Sequence, residues 1–164
     1  MHSYPKHFLP WFWSVIGVLF VTGLLLIPGA LELRLEWDVP ISLGGARIGI
    51  AALHALAAFA TLVAVGALIP VHMRLGLRQR RNHVTGLTLV GCFGVLLLTA
   101  LGIYYLAGPA LSVVSSVLHT VLGLLLALPL TWHWIRGRRL HHRRASAVRS
   151  HSANALTDQF RPVI

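Results

Sequence analysis

Residues 82–135 read NHVTGLTLVGCFGVLLLTALGIYYLAGPALSVVSSVLHTVLGLLLALPLTWHWI, 54 positions without one Asp, Glu, Lys or Arg. A helix crosses the hydrocarbon core of a bilayer with about 20 apolar residues, so this run holds two crossings and a turn. Gly108-Pro109 near its middle is where a helix is expected to stop. Two more charge-free stretches lie upstream, 25 residues between Lys6 and Glu32 and 26 between Arg47 and Arg74. The pattern predicts an all-α membrane protein, a bundle of four transmembrane helices over about 9–29, 48–71, 86–107 and 111–135. Open strands are excluded, because lipid cannot satisfy their backbone groups. The first run has no small-x-small cleavage site before a polar segment and reads as a helix rather than a signal peptide.

Composition agrees with this class. Hydrophobic residues make up 56% of the 164 and charged residues only 11%, with a mean hydropathy of +0.75. A soluble domain carries roughly a quarter charged residues, and disordered chains are poor in apolar ones. Lys and Arg set the orientation. Lys6, the 72–85 segment and the C-terminal tail share one side and hold 12 of the 14 basic residues. Arg34 and Arg47 lie in the 30–47 segment on the other side, with Glu32, Glu36 and Asp38. Both termini are therefore expected inside (N-in/C-in), in a bacterial inner membrane. The net charge of +10 is accounted for by Arg residues flanking the spans, facing lipid head groups rather than nucleic acid. Residues 1–136 form the membrane domain on this reading, and 137–164 form a basic, disordered cytoplasmic tail. Cys92 stands alone inside the third span, which leaves no thiol partner for a disulfide or a thiolate cluster.

Ionisable groups inside a bilayer are costly and point to function. His54 in the second span and His119 in the fourth sit at similar depth near the outer face, as two axial ligands of one metal would. His119 and His133 are 14 residues apart, about 21 Å along a helix and about 40° short of whole turns. Both therefore point to one side of the fourth helix at two depths, the spacing that two stacked haems require. His54 completes the outer site. The inner site takes His7, at the start of the first helix, or His72, which follows His54 by five turns. Gly123 lies one turn after His119 on the same face, where a Cβ would obstruct a flat macrocycle, and Gly23 and Gly66 thin their helices at mid-membrane. An iron held by two imidazoles has no open position and suits electron transfer.

The segment KHFLPWFWSVIGVLFVTGLLL, with His7 followed at sixteen residues by Gly23, resembles the first helix of the four-helix dihaem b-type cytochromes. LHTVLGLLLALPLTWHW at 118–134, with its His-x13-His pair, resembles their last. This group includes the gamma subunits of formate dehydrogenases and the cytochrome b subunits of nickel-iron hydrogenases. The resemblance covers roughly residues 5–137. It implies axial ligands in the order His7, His54, His119 and His133, with His7 preferred to His72, and two haem b groups. It also implies electron transfer between a periplasmic redox enzyme or cytochrome and quinone, in the direction of quinone reduction. Such a partner is expected to dock on Glu32, Glu36, Trp37 and Asp38, and quinone to meet His72, Asn82 and His83. The loops are shorter than the family's. Two other readings stand beside this one. In one, a stand-alone oxidoreductase takes electrons from superoxide drawn in by Arg34 and Arg47. In the other, the chain is a haem-free scaffold or assembly subunit.

Overall fold

The computed structural model describes residues 5–37, 39, 43–78, 82–106 and 108–139, and every element among them is helical. Four helices are long and apolar enough to cross a membrane. The first is α1, Phe8–Leu35. Helix α2, Ala46–Leu68, runs into a π-helical turn over Ile69–Met73 and a short α3 over Arg74–Arg78. Helix α4 is His83–Tyr105, and α5 is Pro109–Leu125. After an interruption at Leu126 the chain is helical again over 127–139, giving a last span of Pro109–Arg139.

Gly108 and Pro109 divide the long apolar run as the sequence suggests. Gly108 is extended (ψ 127°), and Pro109 opens α5 at a position whose N–H has no intrahelical partner. The other ends differ from the expected ones. Helix α1 runs six residues past 29, through Glu32 and Arg34, so the predicted 30–47 loop is largely helix at its start. It stops at Glu36, whose left-handed backbone (φ 55°) lets its N–H close back on the Leu31 carbonyl. The predicted 72–85 loop is shorter still, because the π turn and α3 carry the second span on to Arg78. Each extension is polar or amphipathic and satisfies its backbone internally, which a count of apolar residues does not register. The tail 140–164 and Asp38 lie outside the described residues.

Two prolines explain the irregular turns. Pro70 cannot donate to the Gly66 carbonyl, and it sits inside the π turn, where the helix widens. Pro129 likewise leaves the Leu125 carbonyl without its usual donor, and the regular helix breaks at Leu126.

Helix α1 packs along α2 and α4 along α5, forming two hairpins that join where α1 lies against α5. The interior is small and polar. Thr22, Thr61, Thr99, Ser112, Ser115 and Ser116 are buried, with Ala57, Ala64 and Leu89, while most Leu, Val and Phe side chains point outward. Lipid is as apolar as Leu, so helices associate through small residues and close backbone approach rather than through hydrophobic burial. Gly102 on α4 shows the limit of that approach, since a Cβ there would overlap Ser115 on α5. Thr22, Thr61 and Thr99 each donate their hydroxyl to a carbonyl four residues back, so the buried oxygens remain satisfied.

The two ends are tied differently. Trp13 at the start of α1 meets Trp134, in the last described helical segment, edge to face with ring centres 6.0 Å apart, and Arg138 lies over Trp134. At the other end Arg34, in the last turn of α1, donates to the Ser112 hydroxyl on α5 and to the Ile103 carbonyl of α4 at 3.4 Å. One guanidinium thus joins three helices beside the negative end of the α1 dipole. Arg47 is exposed. Arg34→Met is expected to lower stability in detergent by about 1–2 kcal/mol, because it leaves these acceptors without their donor. Arg47→Met is expected to change it by less than about 0.5 kcal/mol. Reversible unfolding followed by circular dichroism measures both.

Candidate functional site

Four histidines in or just beyond the apolar helices fall into two pairs. His54 on α2 faces His119 on α5, with ring centres 6.4 Å apart and planes crossing at 74°. His72 in the π turn faces His133, with ring centres 5.9 Å apart and planes crossing at 68°. The sequence expectation of a His54/His119 pair matches this juxtaposition. For His133 the ring it meets is that of the alternative partner, His72, which is itself exposed, while His7 lies at the N-cap of α1, also exposed.

The π turn accounts for this partnership. In a regular α-helix, His72 would lie about 27 Å beyond His54, against about 21 Å between His119 and His133. A π turn places more residues in each turn, which shortens that rise and rotates His72 relative to His54.

Each ring of the first pair is held from behind. His54 Nδ1 lies 3.1 Å from the Leu19 carbonyl and 3.0 Å from Thr22 Oγ1, both on α1. His119 Nδ1 lies 3.1 Å from the Leu96 carbonyl and 3.0 Å from Thr99 Oγ1, both on α4. A carbonyl only accepts, so each Nδ1 carries the proton and each Nε2 keeps its lone pair. His133 Nδ1 lies 2.9 Å from Thr85 Oγ1 and 3.1 Å from Asn82 Nδ2, and the same amide donates to the His133 carbonyl. Asn82 is the left-handed residue (φ 50°) that turns the chain into α4. It is thus occupied with His133. His83 is half-buried, and its Nδ1 is buried with no hydrogen-bond partner among the described residues.

The glycines separate by role. A Cβ on Gly23 would sit 3.2 Å from His54 Cε1, so its absence lets the imidazole approach α1. A Cβ on Gly123 would meet only Leu96, at 4.0 Å, and one on Gly66 would meet nothing within 4 Å. At the other level Gly86 lies beside His133, but a Cβ there would come no closer than 3.5 Å to His133 Cε1, an ordinary contact.

Two imidazoles bonded to opposite sides of one metal ion, each through Nε2 at about 2.0 Å, hold their ring centres about 6 Å apart. Both observed separations fit that value. Among the described residues no group of three or more His, Cys, Asp or Glu converges, so the chain offers two donors per level rather than the four of a structural zinc site. A planar macrocycle bringing its own four nitrogens is the kind of group that needs two donors and no more. The Nδ1–H to carbonyl bonds are the outer partners that ligating histidines use to fix tautomer and ring orientation.

No protein-family model, curated protein or solved structure matches the chain.

Gly23→Ala is expected to cost about 1–3 kcal/mol, since the His54 ring or its helix must give way. Gly17→Ala on the same helix, where a Cβ meets nothing within 4 Å, is expected to gain about 0.5–1 kcal/mol from helix propensity. Unfolding of the two variants in detergent provides the comparison.

Proposed function

We propose that the protein is a membrane dihaem cytochrome b that carries electrons between a periplasmic redox partner and the quinone pool. The observation that carries this reading is the pair of opposed imidazole couples, stacked at two depths of one apolar bundle. On this proposal His54 and His119 hold one haem b near the outer face, and His72 and His133 hold a second near the cytoplasmic face. Haem b supplies one-electron exchange at an iron whose two axial positions are both filled.

The chain's own residues do the rest. Leu19, Thr22, Leu96 and Thr99 orient the outer imidazoles through Nδ1, and Thr85 and Asn82 orient His133. The lipid-facing Leu, Val and Phe side chains exclude water from both levels. Glu32, Glu36 and Trp37 are exposed where α1 ends and offer a small acidic and aromatic patch for a periplasmic partner. Arg34 is committed to Ser112 and Ile103, so attraction of a small anion such as superoxide falls to Arg47 alone at that end. On this proposal a quinone oxygen meets His83 at the cytoplasmic end, where Asn82 is held by His133.

Purified protein is expected to show a reduced b-type α band with two haems per chain, neither covalently attached. His54→Ala or His119→Ala removes one haem, His72→Ala or His133→Ala removes the other, and His7→Ala keeps both. Because the planes cross at 74° and 68°, both oxidised centres are expected to give strongly anisotropic low-spin EPR signals. A chain that folds but takes up no haem excludes the reading, and a His7→Ala protein with one haem returns the inner ligand to the first helix. His83→Ala is expected to slow quinone reduction about tenfold or more with haem content unchanged, measured with a soluble quinone analogue.

A further inference from the structure

Three of the four paired imidazoles rest on a threonine from a neighbouring helix. Thr22 Oγ1 lies 3.0 Å from His54 Nδ1, Thr99 Oγ1 lies 3.0 Å from His119 Nδ1, and Thr85 Oγ1 lies 2.9 Å from His133 Nδ1. A hydroxyl has one proton to give. Thr22 donates it to the Val18 carbonyl at 2.7 Å, Thr99 to the Val95 carbonyl at 2.9 Å, and Thr85 to Asn82 Oδ1 at 2.7 Å. Each oxygen is then left to accept, and at His54 and His119 it accepts from Nδ1–H, as the carbonyl beside it does. At His133 the Asn82 amide nitrogen, a donor, lies 3.1 Å from the same Nδ1, so Thr85 does not set the tautomer there. The residue after each threonine is small. Gly23 stands where a Cβ would press on the Cε1 of His54, Gly86 where a Cβ would come into ordinary contact with the Cε1 of His133, and Ala100 follows Thr99.

Helices and roles thus separate. The second and fourth spans carry the imidazoles, while α1 and α4 carry the seats. Thr85 and Thr99 are 14 residues apart on α4, the same interval that separates His133 from His119 on the antiparallel helix beside it. Thr-Gly occurs at only two places in the chain, 22–23 and 85–86, and each touches a paired histidine. Thr61 is equally buried, but it bonds only within α2 and seats nothing. His72 has no hydrogen bond at its ring nitrogens among the described residues.

We infer that Thr22, Thr85 and Thr99 are positioning residues: Thr22 and Thr99 fix the tautomer and plane of His54 and His119, so that each Nε2 lone pair is presented to the facing ring, and Thr85 fixes the plane of His133. This rests on the dihaem reading above and goes beyond it by assigning level-specific control to residues that are not themselves ligands. Valine is close to threonine in shape but offers no oxygen, and serine restores the oxygen.

The test uses full-length protein in detergent, carrying Thr22→Val, Thr99→Val or Thr85→Val, each with its Ser counterpart. Haem retention against a haem scavenger and the oxidised low-spin EPR signals are read together, and His54→Ala and His133→Ala assign each signal to a level. Thr22→Val and Thr99→Val are expected to weaken retention at the His54/His119 level about 10–100-fold and to move its EPR signal, with the other level unchanged. Thr85→Val is expected to do the converse, and each Ser variant to return both readouts toward the parent. The unaffected level serves as the internal check that the variant has folded. Retention and signals that ignore all three Val substitutions, or change at both levels alike, or fail to recover with Ser, overturn the inference while the two-haem count stands. A parent protein without haem overturns the inference and the proposed function together.

Discussion

An imidazole placed inside a bilayer has two ring nitrogens and no water to satisfy them. In this protein one nitrogen is answered from behind, by a backbone carbonyl of a neighbouring helix. Leu19 and Leu96 provide those carbonyls for His54 and His119, although in an intact helix each already accepts a bond from its own turn. The second bond is available because a carbonyl oxygen has two lone pairs, but it demands that a bulky ring come almost into contact with another helix's backbone. That demand fixes much else. It leaves little room for a Cβ at 23, and it goes with small buried side chains such as Thr22 on α1 and Thr99 on α4.

The packing follows the same logic. In water a bundle this size would bury its leucines. Here the large apolar side chains face outward, and Thr, Ser, Ala and Gly line the helix contacts. Threonine fits such a place because its hydroxyl can bond to its own helix and its oxygen still accept from a neighbour. Serine at 112, 115 and 116 serves the α4–α5 contact, where backbones come closest, and Ser112 also receives Arg34. The bundle is therefore held by short polar contacts at chosen points, each of them specific to a side chain.

Irregular backbone appears where the histidines need it. The π turn at Ile69–Met73 and the break at Leu126 both follow from prolines that cannot donate to the preceding turn. Neither sits at the His54/His119 level, where both helices are regular. Both lie toward the His72/His133 level, whose two members are separated from their upstream partners by different numbers of residues, 18 and 14. Two unequal spacings cannot bring both rings to one level in ideal α-helices, and local rewinding removes the mismatch.

The sequence by itself determined the number of spans, because charge exclusion over about 20 residues is a one-dimensional property of a chain in lipid. It also determined that Gly108-Pro109 separates two helices, and that His54 and His119 share a depth, since depth follows from counting residues along helices that run the same way. The partner of His133 was not legible. His7 and His72 were both open on spacing, and choosing between them required the rotation introduced by Pro70 and the crossing of two helices that meet only in three dimensions. Helix ends carrying Glu32, Arg34 and Arg78 were missed because polar side chains end a hydropathy count without ending a helix. The threonine seats were hidden for a related reason. A Thr-Gly pair in a membrane helix is ordinary by composition, and only the neighbouring helix, through where its histidine falls, makes it part of a site.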